Sequence, residues 1–161
     1  MTRMRNRLIL VAAGGSAALL LGAFGFQLMG YAPCELCLLQ RWPHAAAVAL
    51  GILALALPRL NALALLGALA AAGTGALGVY HTGVERGWWQ GPDTCTSGPI
   101  NGLSPQELMN RILDAPLVQC DQIDWQFLTL SMASWNAILS FGLALVWLLA
   151  WRYARAPGPR T

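Results

Sequence analysis

The residues best suited to chemistry lie in one short stretch, where a Cys-x-x-Cys pair, Cys34 and Cys37, is followed by Arg41 and His44. On a helix that begins near Cys37, Arg41 and His44 lie at positions i+4 and i+7, so the three side chains share one face. The thiolate is the reactive form of cysteine, and a neighbouring cation stabilises it. The stretch therefore predicts a redox-active thiol beside a guanidinium group.

The chain that must position this stretch is far more apolar than an ordinary soluble domain. Hydrophobic residues make up 57% of it and charged residues 11%. A membrane-spanning helix needs about 20 mostly apolar residues, and the sequence predicts four, at about residues 8–29, 38–57, 60–80 and 132–151. The second reaches this length only if it includes Arg41. We expect an all-α membrane protein, a four-helix transmembrane bundle that forms a single membrane domain over residues 1–161.

The arginines predict the orientation of the spans. Seven of the ten basic residues flank the same ends of the four spans: Arg3, Arg5, Arg7, Arg59, Arg152, Arg155 and Arg160. The positive-inside rule makes these ends cytoplasmic, with both termini and a tail at residues 152–161. The first run is long for the apolar region of a signal peptide, so we expect it to be retained.

The opposite side then carries loops at residues 30–37 and 81–131, which hold all seven acidic residues and all four cysteines. In a bacterial inner membrane this is the periplasmic side, where disulfides form and persist. Ser104, Pro105 and Glu107 predict the start of a short amphipathic helix that runs to about Asp114. We expect a second amphipathic helix from Asp124. The third span should end at Tyr80 and His81, followed by irregular backbone around Gly83 and Gly87.

Four cysteines can pair in three ways, and the spacing favours Cys34 with Cys37 and Cys95 with Cys120. A bridge that closes a loop of this length stabilises a protein by about 3 kcal/mol, so Cys95 and Cys120 have a purely structural interpretation. The same interpretation is weaker for the Cys-x-x-Cys pair, because a two-residue ring braces little of the chain.

Arg41, His44 and His81 each have a structural interpretation beside the functional one. Arg41 could be an interfacial arginine whose head group snorkels, but it lies on the arginine-poor side and shares a face with a thiol. An ionisable group at this depth is a functional candidate. The histidines could equally cap helix ends or face headgroups. A zinc site of the cysteines with His44 or His81 lacks the repeated Cys-x-x-Cys spacing of structural zinc sites, so we expect no metal.

These features together resemble the disulfide bond formation protein B family, DsbB, over about residues 8–151. The resemblance depends on three patterns: Cys34-x-x-Cys37-x-x-Gln40-Arg41-x-Pro43, His81 at the outer end of the third span, and Cys120-Asp121-x-x-x-Trp125-x-Phe127-Leu128. It implies an enzyme that reoxidises a soluble periplasmic thioredoxin-like oxidase, DsbA. The two electrons would pass to a membrane quinone, ubiquinone or menaquinone.

The resemblance also implies a role for each site residue. Cys95 would form the mixed disulfide with the partner, Cys120 would be its mate, and Cys34 would exchange with this loop pair. Cys37 would contact the quinone ring. Arg41 would stabilise the reduced quinone, with His81 nearby and Trp125 on the segment that covers the site. His44 joins the cofactor-binding set through the face that it shares with Cys37 and Arg41.

Two alternatives remain open. A four-span oxidoreductase of the vitamin K epoxide reductase type also pairs loop cysteines with a Cys-x-x-Cys, but its loop cysteines are expected to precede that motif. Here Cys95 and Cys120 follow it. The other alternative is a membrane scaffold whose outer loop is held by structural disulfides. Membrane lipid, quinone and a thiol oxidase are the expected partners, and a nucleic acid is not.

Overall fold

The long uncharged runs fold as helices, because a backbone in lipid must satisfy its hydrogen bonds internally. The computed structural model describes residues 2–96, 104–114 and 118–155. Within these ranges, four helices are long and apolar enough to cross a membrane: α1 (Thr2–Leu28), α2 (Glu35–Ala56), α3 (Ala62–Glu85) and α5 (Met132–Arg155). The predicted fold of four transmembrane helices is confirmed. The end of the predicted cytoplasmic tail, residues 156–161, lies outside the described residues.

The long helices pack mainly in the order α1, α2, α3, α5, and α5 closes the bundle against α1. Small residues of α3 permit this packing. A Cβ atom added at Gly67 would lie 2.7 Å from the ring of the fully buried Trp147, and one at Gly78 would lie 2.9 Å from the Ala133 carbonyl oxygen. No such contact exists at Gly73. Close helix contact in the membrane thus depends on particular glycines and not on all of them.

Arg5 is the one basic residue near the N-terminus that the bundle buries among the described residues, with 2% of its surface exposed. Its Nη2 donates a hydrogen bond to the carbonyl oxygen of Ala54, 3.0 Å away. This carbonyl belongs to the last turn of α2, where helix carbonyls lack partners and the helix dipole favours a cation. Arg5 therefore caps α2 as well as contributing to the charge bias of its end of the bundle.

Helix α3 continues one turn beyond the predicted end at Tyr80, to Glu85. It ends where Gly87 takes a left-handed conformation (φ +67°). The amide of Trp88 donates to the Gly83 carbonyl, and that of Gly87 donates to the Val84 carbonyl, which is the Schellman pattern. The prediction of irregular backbone was therefore right for Gly87 and wrong for Gly83. The additional turn places His81 and Glu85 on one rigid helix.

The outer segment between α3 and α5 contains α4 (Pro105–Asp114), β1 (Gln126–Phe127) and β2 (Leu130–Ser131). The predicted capping box starts α4: the Ser104 amide and hydroxyl both donate to the Glu107 carboxylate, at 2.8 and 2.6 Å. The second predicted helix, from Asp124, is wrong, because β1 and β2 form an antiparallel hairpin there. Only a few residues separate Asp124 from α5, too few for a stable separate helix.

The hairpin is held to the bundle from both sides. The Trp135 indole nitrogen donates to the Phe127 carbonyl at 3.1 Å, and Arg86 Nη2 donates to the Thr129 carbonyl at 3.3 Å. Its two turn residues, Leu128 and Thr129, have φ of 51° and 65°. Branched side chains disfavour this left-handed conformation, so the anchored ends impose it on the turn.

Candidate active site

The Cys-x-x-Cys pair lies at the start of α2, where Cys34 is the N-cap residue. The Cys34 sulfur accepts a hydrogen bond from the Cys37 amide at 3.2 Å and lies 2.7 Å from the Cys37 sulfur. Both cysteines are free thiols in this structure. The hydrogen bond that Cys34 donates to Cys37, together with burial, raises the pKa of Cys34 above the usual range of a thiol. The Cys34 thiol, which points at the Cys37 sulfur, therefore keeps its proton more firmly than an ordinary thiol.

The second cysteine pair is a disulfide between Cys95 and Cys120, as the spacing predicts. Both residues are at most 2% exposed, and they pack with Cys34, Leu36 and Val84 in one buried cluster. The hydroxyl of Thr94 donates to the Glu35 carboxylate at 2.5 Å and joins the loop to the first turn of α2. The structure thus brings the two cysteine pairs together although they are distant in sequence.

His81 is buried on the last full turn of α3 and faces the first cysteine. Its Nε2 lies 3.6 Å from the Cys34 sulfur and 3.9 Å from Oε1 of Glu85, and its Nδ1 lies 2.9 Å from Nε2 of Gln40. Ser131 donates a hydrogen bond to the Glu85 carboxylate. A histidine that contacts both a reactive sulfur and a buried carboxylate can tune the charge on that sulfur.

Arg41 lies one turn beyond Cys37 on α2. Its Nη1 donates to Oε1 of Gln27 at 2.9 Å, and its guanidinium group lies 4.7 Å from the centroid of the Phe24 ring. Cys37 and Arg41 line the same cavity, so the predicted shared face exists. The hydrogen bond with Gln27 shows that α1 orients the cation.

A cavity of about 450 Å³ lies between α1, α2, α3 and α5, beneath residues 119–127 of the outer loop. Its volume falls in the range that small-molecule pockets occupy. The residues predicted to bind a cofactor all line it: Cys37, Arg41, His44, His81 and Trp125. Cys34 also reaches it, whereas the Cys95–Cys120 disulfide lies in the adjoining cluster.

An aromatic row forms the loop side of this cavity. Trp125 contacts Phe26 edge to face, with ring centroids 5.2 Å apart, and stacks on Phe127 at 6.3 Å. Phe127 in turn contacts Trp135 of α5 at 6.2 Å. This row extends from α1 to α5 and covers the loop side of the cavity with apolar rings.

Three residues of the site had no role in the sequence interpretation. Gln40 lies inside the motif and is 7% exposed. Glu85 had no predicted role because the third span was expected to end before it, whereas α3 includes it. Asn136 lies on α5, and its Oδ1 is 2.8 Å from Nε2 of His44. An asparagine within an otherwise apolar span is a signal in itself, since buried amides in a membrane need partners.

The ligand atoms of Cys34, Cys37 and His81 all lie within 4.8 Å of one another, so this group has the composition of a metal site. The four-cysteine zinc site that the sequence made conceivable does not form, because Cys95 and Cys120 are bonded to each other. Thiolates coordinate zinc, and disulfide sulfurs do not.

Comparisons with known proteins show the family to which this chain belongs. The chain matches the family described as Disulfide bond formation protein DsbB over residues 5–150. It is 38% identical to Disulfide bond formation protein B of Xanthomonas oryzae pv. oryzae over 144 residues, which is 83% of this chain and 82% of that protein.

Two further relatives are similar over somewhat shorter stretches. Disulfide bond formation protein B of Dechloromonas aromatica is 31% identical over 72% of this chain and 73% of its own length. An uncharacterized protein of Rickettsia prowazekii is 30% identical over 71% of this chain and 69% of its own length. No solved structure matches the chain significantly. The chain belongs to the disulfide bond formation protein B family, DsbB, and is a multi-pass membrane protein.

Proposed function

We propose that this protein reoxidises a soluble, DsbA-like thioredoxin-family oxidase in the periplasm and passes the two electrons to a membrane quinone. Membership of the DsbB family makes it a thiol-disulfide oxidoreductase. One observation supports the finer proposal: two cysteine pairs meet in one buried cluster, and one pair opens onto a membrane-embedded cavity. A disulfide that only stabilises the loop would require neither a second cysteine pair nor a cavity beside it.

The proposed electron path consists of four steps, in each of which a thiolate attacks a disulfide. A thiolate of the reduced partner attacks Cys95, and Cys120 leaves as a thiolate. Cys120 then attacks Cys34 of an oxidised Cys34–Cys37 pair, and Cys37 leaves as a thiolate. The partner's second thiolate displaces Cys95, so the partner gains a disulfide and loses two electrons and two protons. The loop cysteines re-form their disulfide as Cys95 displaces Cys34, and the electrons remain on the Cys34–Cys37 pair.

The burial of Cys95 and Cys120 adds a requirement to this path. At most 2% of either residue is exposed, so a protein thiolate cannot reach them in the arrangement described. The hydrogen bond from Thr94 to Glu35 holds the segment beside Cys95 on α2. The proposal therefore requires this contact to open when the partner docks.

The cavity fits a quinone ring in size and composition. A bound quinone supplies an acceptor for two electrons and two protons. Cys37 presents its sulfur at the cavity wall, and Arg41 presents a cation that favours the anionic reduced form. His81 and His44 offer polar contacts at the wall, while Phe26 and Trp125 exclude water from the ring.

The proposed topology follows from the arginine distribution. Both termini lie in the cytoplasm, and residues 30–37 and 81–131 lie in the periplasm of a bacterial inner membrane. The cysteines then face the oxidising compartment. A cysteine-accessibility assay in intact cells tests this directly: the reporter thiol of Met109→Cys, on the exposed surface of α4, should react with a membrane-impermeant maleimide, and that of Arg59→Cys should not.

A direct assay tests the activity. Purified protein, mixed with a reduced DsbA-like oxidase and a soluble short-chain ubiquinone, should reduce the quinone at a rate that depends on the protein. The Cys37→Ser variant should reduce none, whereas Met109→Ser, which places the same side chain on the exposed surface of α4, should keep the full rate. Quinone reduction by Cys37→Ser would refute the assignment.

A further inference from the structure

A hydrogen-bonded row of buried polar side chains runs from His44 to Cys34, and Cys34 is its one member that takes part in the electron path proposed above. Its members are His44, Asn136, Gln40, His81 and Cys34, with successive contacts of 2.8, 2.7, 2.9 and 3.6 Å. Gln40 and both histidines are at most 7% exposed. Buried polar groups must find partners within the protein, so the donor or acceptor role of each atom can be worked out.

The backbone fixes the orientation of the Gln40 amide. Its nitrogen lies 3.0 Å from the carbonyl oxygen of Leu36, which can only accept. The second hydrogen on this nitrogen points at Nδ1 of His81, 2.9 Å away, while Oε1 accepts from the Asn136 amide. Nδ1 must therefore accept. A neutral imidazole carries one proton, so the proton of His81 lies on Nε2.

Asn136 supports the same assignment from the other side. Its amide nitrogen lies 3.3 Å from the carbonyl oxygen of Thr74, again an acceptor only. Its oxygen then accepts from Nε2 of His44 and from the Ser140 hydroxyl. Two backbone carbonyls, one on α2 and one on α3, thus fix every hydrogen in this hydrogen-bonded row between the two histidines.

From this geometry we infer that Gln40 and Asn136 are positioning residues that hold His81 as the Nε2–H tautomer, so that its one proton is directed at the Cys34 sulfur and shared with the Cys120 backbone, the other acceptor at this imidazole. In this tautomer His81 is not the base that removes the Cys34 proton. It stabilises the thiolate on Cys34 each time that sulfur becomes a leaving group or a nucleophile. The Cys37 sulfur, 2.7 Å away, is the acceptor to which the Cys34 thiol points.

Nitrogen NMR tests the tautomer without any assay of activity. The chain has only two histidines, so protein labelled with [15N]histidine and reduced in detergent gives two imidazole patterns, and a His44→Phe variant assigns them. His81 should show a protonated Nε2 and an unprotonated Nδ1 at neutral pH. A protonated Nδ1, or an imidazolium, at His81 of the wild-type protein would by itself overturn the inference, with no variant needed.

Substitution of Gln40 tests its positioning role. The carboxylate of Gln40→Glu only accepts, so the proton of His81 should move to Nδ1 or a second proton should bind. Gln122→Glu places the same charge in the cavity wall without contacting His81, and it should leave the His81 pattern unchanged. An unchanged pattern in folded Gln40→Glu would remove Gln40 from this role. In Asn136→Ala the Gln40 amide is held by the Leu36 carbonyl alone, so a fraction of the molecules should carry the His81 proton on Nδ1. An Nε2–H form as uniform as that of the wild type would exclude Asn136 as a positioning residue.

Kinetics test the donor role, and this part rests on the proposed function. Gln at position 81 can donate through its amide but cannot serve as a base, and Leu can do neither. Quinone reduction should fall by at most about threefold in His81→Gln. It should fall by about tenfold or more in His81→Leu, because only leucine loses the hydrogen bond to the Cys34 thiolate. Equal losses would exclude the donor role. An inactive wild-type protein would instead contradict the proposed function and leave the NMR result intact.

Discussion

The indole ring of Trp125 meets the ring of Phe26 edge to face, with centroids 5.2 Å apart, and so joins the outer loop to α1 above the cavity. This contact connects a residue of the loop to a residue of the bundle wall that also lines the cavity. The cover of the site therefore depends on the aromatic row that begins with this pair.

Loss of this pair should weaken quinone binding. Aromatic pairs contribute about 0.5–1.5 kcal/mol beyond the area that they bury, so Trp125→Ala should raise the KM for a short-chain quinone by about two- to tenfold. Trp88→Ala removes an indole of the same loop that is 64% exposed and should leave KM unchanged. Steady-state kinetics at saturating reduced partner provide the measurement. Equal KM values for Trp125→Ala and the wild type would contradict the covering role.

Arg41 should affect quinone binding more than turnover. Arg41→Ala removes the cavity cation, and we expect the quinone KM to rise by about tenfold or more with a smaller fall in kcat. Gln27→Ala, which frees the guanidinium group from its 2.9 Å hydrogen bond, should give a smaller rise in KM. Arg59→Ala, in the exposed turn between α2 and α3, is the control. An unchanged KM in Arg41→Ala would make Arg41 an interfacial arginine.

Much of this arrangement could be predicted from the sequence, because its signals are local. Hydrophobic length gives the four spans, and Ser104 with Glu107 marks the start of α4. The hairpin could not be predicted, because contacts of Trp135 and Arg86 override the preferences of Leu128 and Thr129. The roles of Gln40 and Asn136 likewise depend on the packing of α2, α3 and α5. The spacing of residues within one helix does not predict such contacts between helices.

The glycines of α3 should differ in their tolerance of a methyl group. A Cβ at Gly67 would lie 2.7 Å from the Trp147 ring, whereas a Cβ at Gly73 would have no atom of another helix within 4 Å among the described residues. Gly67→Ala should lower the free energy of unfolding by about 1–3 kcal/mol through overpacking. Gly73→Ala should raise it by about 0.5–1 kcal/mol, because alanine favours a helix. Thermal unfolding in one detergent compares them, and equal midpoints would contradict this packing.

The reduced protein should lose stability in alkali. The pKa of Cys34 is raised by its hydrogen bond to Cys37 and by burial, so the folded state holds a proton that the unfolded chain releases above about pH 8.5. Stability from this group is complete below that pH and falls as the pH rises towards the folded pKa. Urea unfolding at pH 8 and 10 should show the fall in reduced wild type but not in Cys34→Ser. An equal fall in the free energy of unfolding of the wild type and of Cys34→Ser would show that other groups cause the loss of stability.

The turn of the hairpin should accept a more favourable sequence. Leu128 and Thr129 both adopt left-handed backbone conformations, which cost branched residues about 1–2 kcal/mol each, while Asn followed by Gly suits a two-residue turn of this kind. Leu128→Asn combined with Thr129→Gly should slow amide hydrogen exchange across residues 126–131 by about tenfold. The hydrogen bond from Arg86 survives, because it uses the backbone carbonyl at position 129. Ile123→Asn combined with Asp124→Gly, just before the hairpin, should bring no such protection. Exchange that is unchanged or faster in the first variant would show that the turn is not strained.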